Sequence, residues 1–191
     1  MDALELLIAD HRKVDGLFQQ FEKGGNAQEF DHLFAQLKAD LTVHTEIEEK
    51  IFYPAVRNNP DTTALVEEAY QEHAQVKQLL QMISTLDNTS AEWGQQMTEV
   101  MRDVQHHVQK EETELFPKVR EHFNQDQLQQ LGLQMQELKT DLKSEVGATA
   151  VMSQGAPMSQ AMPHQTAPNT AGQFGALDAT TETNQSSSQN M

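Results

Sequence analysis

Apolar residues recur at three- and four-residue spacing through the first 143 positions, with almost no strict alternation. That period belongs to amphipathic helices rather than strands. Leu4, Leu7, Ile8, His11, Val14, Phe18 and Phe21 form one stripe and predict a helix over about 2–22, ended by Gly24-Gly25-Asn26. Phe30, Leu33, Leu37, Leu41, His44, Glu48 and Ile51 predict a second helix over about 27–53, followed by the turn Asn58-Asn59-Pro60-Asp61. Leu65, Ala69, His73, Val76, Leu80 and Ile83 predict a third over about 62–86. Asp87-Asn88-Thr89-Ser90 then breaks the chain, with Thr89 or Ser90 suited to cap the next helix. Trp93, Met97, Val100, Val104, His107, Glu111 and Leu115 predict that fourth helix over about 91–116.

Four amphipathic helices with short connections make antiparallel neighbours, so the fold class is all-α, an up-down-up-down four-helix bundle. Leu128, Leu131, Met135, Leu138 and Leu142 predict a fifth helix over about 125–144, outside the bundle or extending its end. From Gly147 the chain turns to Ala, Thr, Ser, Gln, Met, Pro, Gly and Asn, with Phe174 its one aromatic residue. Such a segment buries too little apolar surface to offset ordering. The expected organisation is a bundle domain over 1–122, an accessory helix over 123–146 and a disordered tail over 147–191.

One phrase occurs twice on the inner stripes. His44-x-x-x-Glu48 runs on to Phe52-Tyr53-Pro54, and His107-x-x-x-Glu111 runs on to Leu115-Phe116-Pro117, 63 residues later. Asp10-His11 and Glu72-His73 form a second repeated pair, 62 residues apart. The near-equal offsets describe a duplicated helical hairpin. Residues i and i+4 share a helix face, so four imidazoles and two carboxylates, from four helices, converge in the interior. Such polarity is costly to bury without a partner, and imidazole with carboxylate suits iron, manganese or zinc. Six ligands exceed one tetrahedral zinc but fit two octahedral ions, each with two His and both sharing the two Glu. Iron is the natural occupant, so the expected metal ligands are His11, His44, Glu48, His73, His107 and Glu111.

Neighbouring residues carry smaller expectations. Asp10 and Glu72 each precede a ligand His and project about 100° away from it, which does not favour a direct bond to the ligands. Tyr70, one turn before His73, reads as a packed core aromatic with a polar tip, with a hydrogen bond to a bound oxygen species as the alternative, and Pro54 and Pro117 read as helix ends or kinks. His32, His106 and His122 fall off the ligand stripes, and His164 lies in the tail.

Composition removes the competitors. With no Cys there is no thiolate zinc site, iron–sulfur cluster or Cys nucleophile. A net charge of −16 and no cluster of Lys and Arg leave nothing to grip nucleic acid or an anionic membrane. No apolar run approaches the roughly 20 residues of a membrane span. The start MDALELLIADH lacks the basic and apolar regions of a signal peptide, so a cytoplasmic protein is expected.

His11, His44-x-x-x-Glu48, His73 and His107-x-x-x-Glu111 resemble the hemerythrin-like HHE cation-binding domain over about residues 2–122. The resemblance implies a bundle around a non-haem di-iron centre: two iron ions, oxo- and carboxylate-bridged. Oxygen-carrying hemerythrins have a fifth His four residues after the third-helix His, where this chain has Lys77, and a final Asp where it has Glu112. The four-His, two-Glu set is more similar to the di-iron domain of proteins that repair iron centres, which usually also carry a Cys-containing segment. The expected function is to bind or sense O2, NO or peroxide, or to handle iron, in oxidative or nitrosative stress. A ferroxidase- or peroxidase-like enzyme and an O2 carrier are the alternatives, and enzyme status stays open. The expected partners are these small ligands, with no nucleic acid, no membrane and no identified protein.

Overall fold

A computed structural model describes residues 1–153, with side chains to residue 144. Its elements are α1 (Ala3–Glu22), α2 (Ala27–Ile47), a π turn (Glu48–Phe52), α3 (Tyr53–Val56), α4 (Pro60–Ile83), α5 (Ala91–Lys110), a second π turn (Glu111–Leu115), α6 (Phe116–His122) and α7 (Gln125–Ser153). No strand occurs among the described residues, and none of their helices is long and apolar enough to cross a membrane. The helical bundle expected from the stripes is the architecture found. The tail from residue 154 lies outside the described residues, and α7 runs past the expected end at 146.

Each long helix begins on a side chain that takes up an otherwise orphaned N–H. Asp2 and Asn26 make full capping boxes with Glu5 and Glu29. Asn59 and Ser90 cap α4 and α5, and Asn124 and Gln127 reciprocate at the start of α7. Between α1 and α2, Gly24 takes φ 77°, a conformation that favours glycine.

Of the two readings open for the prolines, helix ends or kinks, the first does not hold: the backbone stays helical across both, by widening to a π turn just before each. A proline ring clashes with the carbonyl four residues back and donates no hydrogen bond. The wider turn avoids both problems, because Tyr53 N–H reaches back five residues to Glu48 O and Phe116 N–H to Glu111 O. Each widened turn begins on one of the two predicted carboxylate ligands.

Two apolar clusters fill the bundle, above and below the polar layer. One contains Leu4, Leu7, Ile47, Phe52, Val66, Leu115, Phe116, Leu128 and Met135. The other contains Val14, Phe18, Leu37, Leu41, Val76, Leu80, Trp93, Val100 and Val104. Helix α7 lies against α1, α2 and the first π turn. Its backbone comes close to α1 at Gly132, where a Cβ would stand 2.8 Å from Asp2 C and 2.9 Å from Met1 O. Gly94, in contrast, has nothing within 4 Å of its Cβ position. Gly132→Ala should therefore cost ~1–3 kcal/mol by overpacking. Gly94→Ala should be neutral or stabilise by up to ~1 kcal/mol, since alanine is the better helix former. Thermal melts of the two variants check this, and an unchanged midpoint for Gly132→Ala would contradict the close docking of α7.

Candidate metal centre

All six predicted ligands are buried and meet in one layer. His11 comes from α1, His44 from α2, His73 from α4 and His107 from α5, while Glu48 and Glu111 open the two π turns. The four Nε2 atoms point at the carboxylates. Glu48 Oε2 lies 3.2 Å from His44 and 3.4 Å from His73. Glu111 Oε2 lies 3.2 Å from His11 and 3.6 Å from His107. Each carboxylate thus faces one imidazole from each half of the chain. Two groups have the spacing of a metal site: His11, His44, Glu48 and Glu111, whose donor atoms fall within 4.8 Å of one another, and Glu48, His73 and His107 likewise. Histidines therefore pair within a hairpin, His11 with His44 and His73 with His107, and Glu48 belongs to both groups.

The donor atoms test whether a cation fits. His11 Nε2, both oxygens of Glu48 and Glu111 Oε2 are buried with no hydrogen-bond partner. Orphaned buried oxygens on a carboxylate that is 0 % exposed are expensive, and a metal ion satisfies all of them together.

Behind each imidazole stands an acid. Glu112 Oε1 is 2.8 Å from His11 Nδ1, Glu49 Oε1 is 3.0 Å from His73 Nδ1, and Glu72 Oε2 is 2.8 Å from His107 Nδ1. Asp10 Oδ2 faces His44 Nδ1 at 3.8 Å. Asp10 and Glu72 thus do serve the ligands, but on the next helix rather than beside them in sequence. That is what a 100° offset from the adjacent His achieves. Glu49 and Glu112 follow the inward carboxylates and reach across to the opposite hairpin. An ionised acid accepts, so the Nδ1 atoms of His11, His73 and His107 donate outward and their Nε2 atoms face inward. His44 Nδ1 has only the charge of Asp10 at 3.8 Å, beyond hydrogen-bond distance.

Cations complete the pattern. Arg12 grips Glu112 at 3.0 and 2.6 Å, and Lys77 holds both oxygens of Glu49 at 2.7 and 2.8 Å. Lys110 approaches Glu72 at 3.8 Å, and Lys139 bonds both oxygens of Asp10. Lys77, in the place of the oxygen carriers' fifth His, is thus turned outward to an acid, and Glu112 lies behind His11 rather than among the inward donors.

One aromatic residue at the centre had no periodic signal of its own. Tyr53 is fully buried, donates from its hydroxyl to Glu111 Oε1 at 2.8 Å and lies 3.3 Å from His73 Nε2. Its place in the repeat is taken by Phe116, which stacks on His11 at 5.9 Å. Comparing Phe-Tyr-Pro with Leu-Phe-Pro was the available clue. Tyr70 is the packed aromatic with a polar tip: it lies edge-on to Tyr53 at 5.2 Å and donates to Glu49 O at 3.2 Å, and does not take the alternative place at the centre. His106 and His122 are exposed, the latter 3.0 Å from Asp61, and His32 is exposed; His164 lies outside the described residues.

The electrostatics are those of a layer arranged around positive charge. Burial and the facing Glu111 push the Glu48 carboxyl well above its ordinary 4.5. Burial acts on Glu111 too, but His107 and His11 outweigh it and hold that carboxyl low. Without a cation the pair keeps one proton between them. Burial drives His44 down to about 4. It opposes charge on His107 as well, but Glu111 and Glu72 raise that imidazole above 6.5. Asp10, despite burial, is held at about 2 by His44 and Lys139, and Glu49 at about 2 by His73 and Lys77.

These directions set a pH profile for the metal-free protein. Unfolded His44 protonates near 6.5 and folded His44 near 4, so its contribution is lost as pH falls through that window. Asp10 and Glu49 lose theirs as pH falls from ordinary carboxylate values toward about 2. Glu48 has the opposite sign: its raised value stabilises the fold fully below 4.5, and this is lost as pH rises. His107 loses its contribution above 6.5. Denaturant unfolding of metal-free protein should show stability falling toward acid pH, where His44, His73, Asp10 and Glu49 all lose theirs, and falling again above 6.5 as His107 gives up its proton. Glu48 adds to the loss as pH rises, and bound metal, which takes the place of its proton, should reduce that loss on loading. Metal-free stability that climbs steadily through neutral pH and beyond would contradict the raised values of Glu48 and His107.

The chain is similar in fold and sequence to known proteins. A crystal structure of a hemerythrin HHE cation binding domain-containing protein from Mycobacterium kansasii superimposes with a TM-score of 0.68 at 23% identity, covering 81% of this chain and 93% of that one. That likeness is one of fold. A protein of Nostoc sp. strain PCC 7120 described as a DNA nickase is 29% identical over 153 residues, which is 78% of this chain and 42% of that protein. This chain thus spans less than half the length of that relative. Residues 2–119 match the family of the hemerythrin HHE cation binding domain, and the chain belongs to that family.

Proposed function

We propose that this chain is a non-haem di-iron protein whose centre takes O2, NO or hydrogen peroxide, or handles iron, in oxidative or nitrosative stress. His11 and His44 would hold one ion, His73 and His107 the other, with Glu48 and Glu111 shared. Iron in this set supplies coordination positions for a small ligand and one-electron chemistry.

The observation that carries this reading is a cavity of about 20 Å³ on the histidine side of the layer. It is lined by His11, His44, His73 and His107 with Val14, Leu41, Thr45, Val76, Val104 and Val108. A water needs only ~10–15 Å³ of such space, so the cavity suits a molecule of a few atoms rather than an organic substrate. Its aliphatic walls disfavour ions and favour small uncharged ligands. Thr45 is the one hydroxyl among them. On the far side of the layer, Tyr53 holds Glu111 Oε1 by a donated hydrogen bond. Three acids fix the tautomer of His11, His73 and His107, Asp10 faces His44 from 3.8 Å, and the valines keep bulk water out.

Metal analysis tests the proposal. Protein loaded with Fe(II) without air should hold about two irons per chain, each with imidazole and carboxylate ligands. Its spectrum should respond to air, NO or peroxide. His107→Ala and Glu48→Ala should lower the iron content, whereas His106→Ala should leave it unchanged. One zinc per chain, with no response to any small ligand, would sink the reading. Rapid repeated oxidation of added Fe(II) would move it to a ferroxidase.

Nicking of DNA, the activity in the description of the Nostoc relative, forms no part of this proposal. A chain of net charge −16 without a basic cluster repels phosphate. Supercoiled plasmid incubated with the iron- or magnesium-loaded protein should stay supercoiled. Its conversion to the open circle, lost in a ligand variant, would require nuclease chemistry at this centre.

A further inference from the structure

The buried stripe of α7 contains a residue that packing alone does not explain. Leu128, Gly132, Met135 and Lys139 succeed one another at four-, three- and four-residue spacing along the face against the bundle. A lysine in that register, only 9 % exposed, is rare unless paired. Its ammonium bonds both oxygens of Asp10, the acid that faces His44.

Four arms support the four imidazoles: Arg12–Glu112–His11, Lys77–Glu49–His73, Lys110–Glu72–His107 and Lys139–Asp10–His44. The cations of the first three lie on bundle helices. The fourth lies on α7, beyond the 2–119 span of the family match. Helix α7 also touches α1, α2 and the first π turn, the elements carrying His11, His44 and Glu48. It therefore braces one half of the layer and leaves the His73–His107 half to the bundle.

We infer that α7 is part of the metal centre, and that Lys139 is a positioning residue for the ion held by His11 and His44. Asp10 stands 3.8 Å from His44, the widest of the four acid–imidazole gaps, and so depends most on what holds it. Without Lys139 the carboxylate has no cation to keep it beside His44 and turns to water. His44 then loses the negative charge that faces its Nδ1, and with it the carboxylate placed to close a hydrogen bond there when the ring is ligated. Loss of such a partner lowers metal affinity by ~10–100-fold in metal sites generally. The effect falls on one ion position only, so the two positions have unequal affinities that docking of α7 sets.

This inference rests on the di-iron reading, and anaerobic Fe(II) titration against a competing chelator separates the two. The wild-type chain should bind in two steps. Lys139→Met should weaken one step ~10-fold or more and leave the other in place. Lys139→Arg, which keeps the charge, should restore the weakened step. Asp10→Asn should reproduce the single-step loss, and serves alone if Lys139→Met does not fold. Amide exchange supplies a second readout: iron loading should slow exchange in α7 of the wild type, and not in Lys139→Met. Two intact steps in both Lys139→Met and Asp10→Asn, or equal weakening of both steps, overturns the role of α7. A wild-type chain that takes up no iron overturns the di-iron reading itself, and this inference with it.

Discussion

Two carboxylates and four imidazoles buried in the middle of a helical bundle constrain everything around them. In a layer closed to water, Glu48 and Glu111 cannot both be charged without a cation beside them. The metal-free centre relieves this with a proton, and a metal ion relieves it far better, because it also satisfies the orphaned oxygens. The helix ends, the two apolar clusters and the π turns can all be read as the means of holding six donors at one height. The widened turns have a specific part in this. They let Glu48 and Glu49, and again Glu111 and Glu112, act as consecutive residues in different layers, one inward at the metal position and one behind an imidazole.

Much of this was legible in the residues. The period of the apolar stripes showed the helices, and the repeated His-x-x-x-Glu marked the inner layer, because i and i+4 share a face. The parts that were not legible share one physical cause. Periodicity describes one helix at a time, whereas the acids behind the imidazoles act between helices. Asp10 looked misdirected because it points away from His11, and only the position of α2 shows that it points toward His44. Pro54 and Pro117 left ends and kinks both open because helix propensity takes no account of a π turn that absorbs the ring. Tyr53 lay on the continuation of that turn, where a regular helical wheel no longer assigns the correct face.

The duplication extends beyond the ligands to the cavity. Its ten lining residues are five repeated pairs: His11 with His73, Val14 with Val76, Leu41 with Val104, His44 with His107, and Thr45 with Val108. The pocket therefore straddles the pseudo-twofold relation between the hairpins, and neither half encloses it alone. This is why a single hairpin, with three of the six ligands, would be no half-sized version of the protein. It would expose the orphaned donors that the other half covers.

The departures from the duplication then matter more than the repeats. The acids recur, with Asp10 matched by Glu72 and Glu49 by Glu112, but the cations that hold them do not. Arg12, Lys77, Lys110 and Lys139 occupy unrelated positions, and one of them lies outside the repeat altogether. Tyr53 faces Glu111 where Phe116 stacks on His11, and Thr45 offers a hydroxyl where Val108 offers a methyl. The two halves of the same six-donor layer thus differ in their outer contacts, in the phenol beside them and in the helix that braces them. A fully symmetric layer would offer any bound cation the same surroundings on both sides, and this one does not.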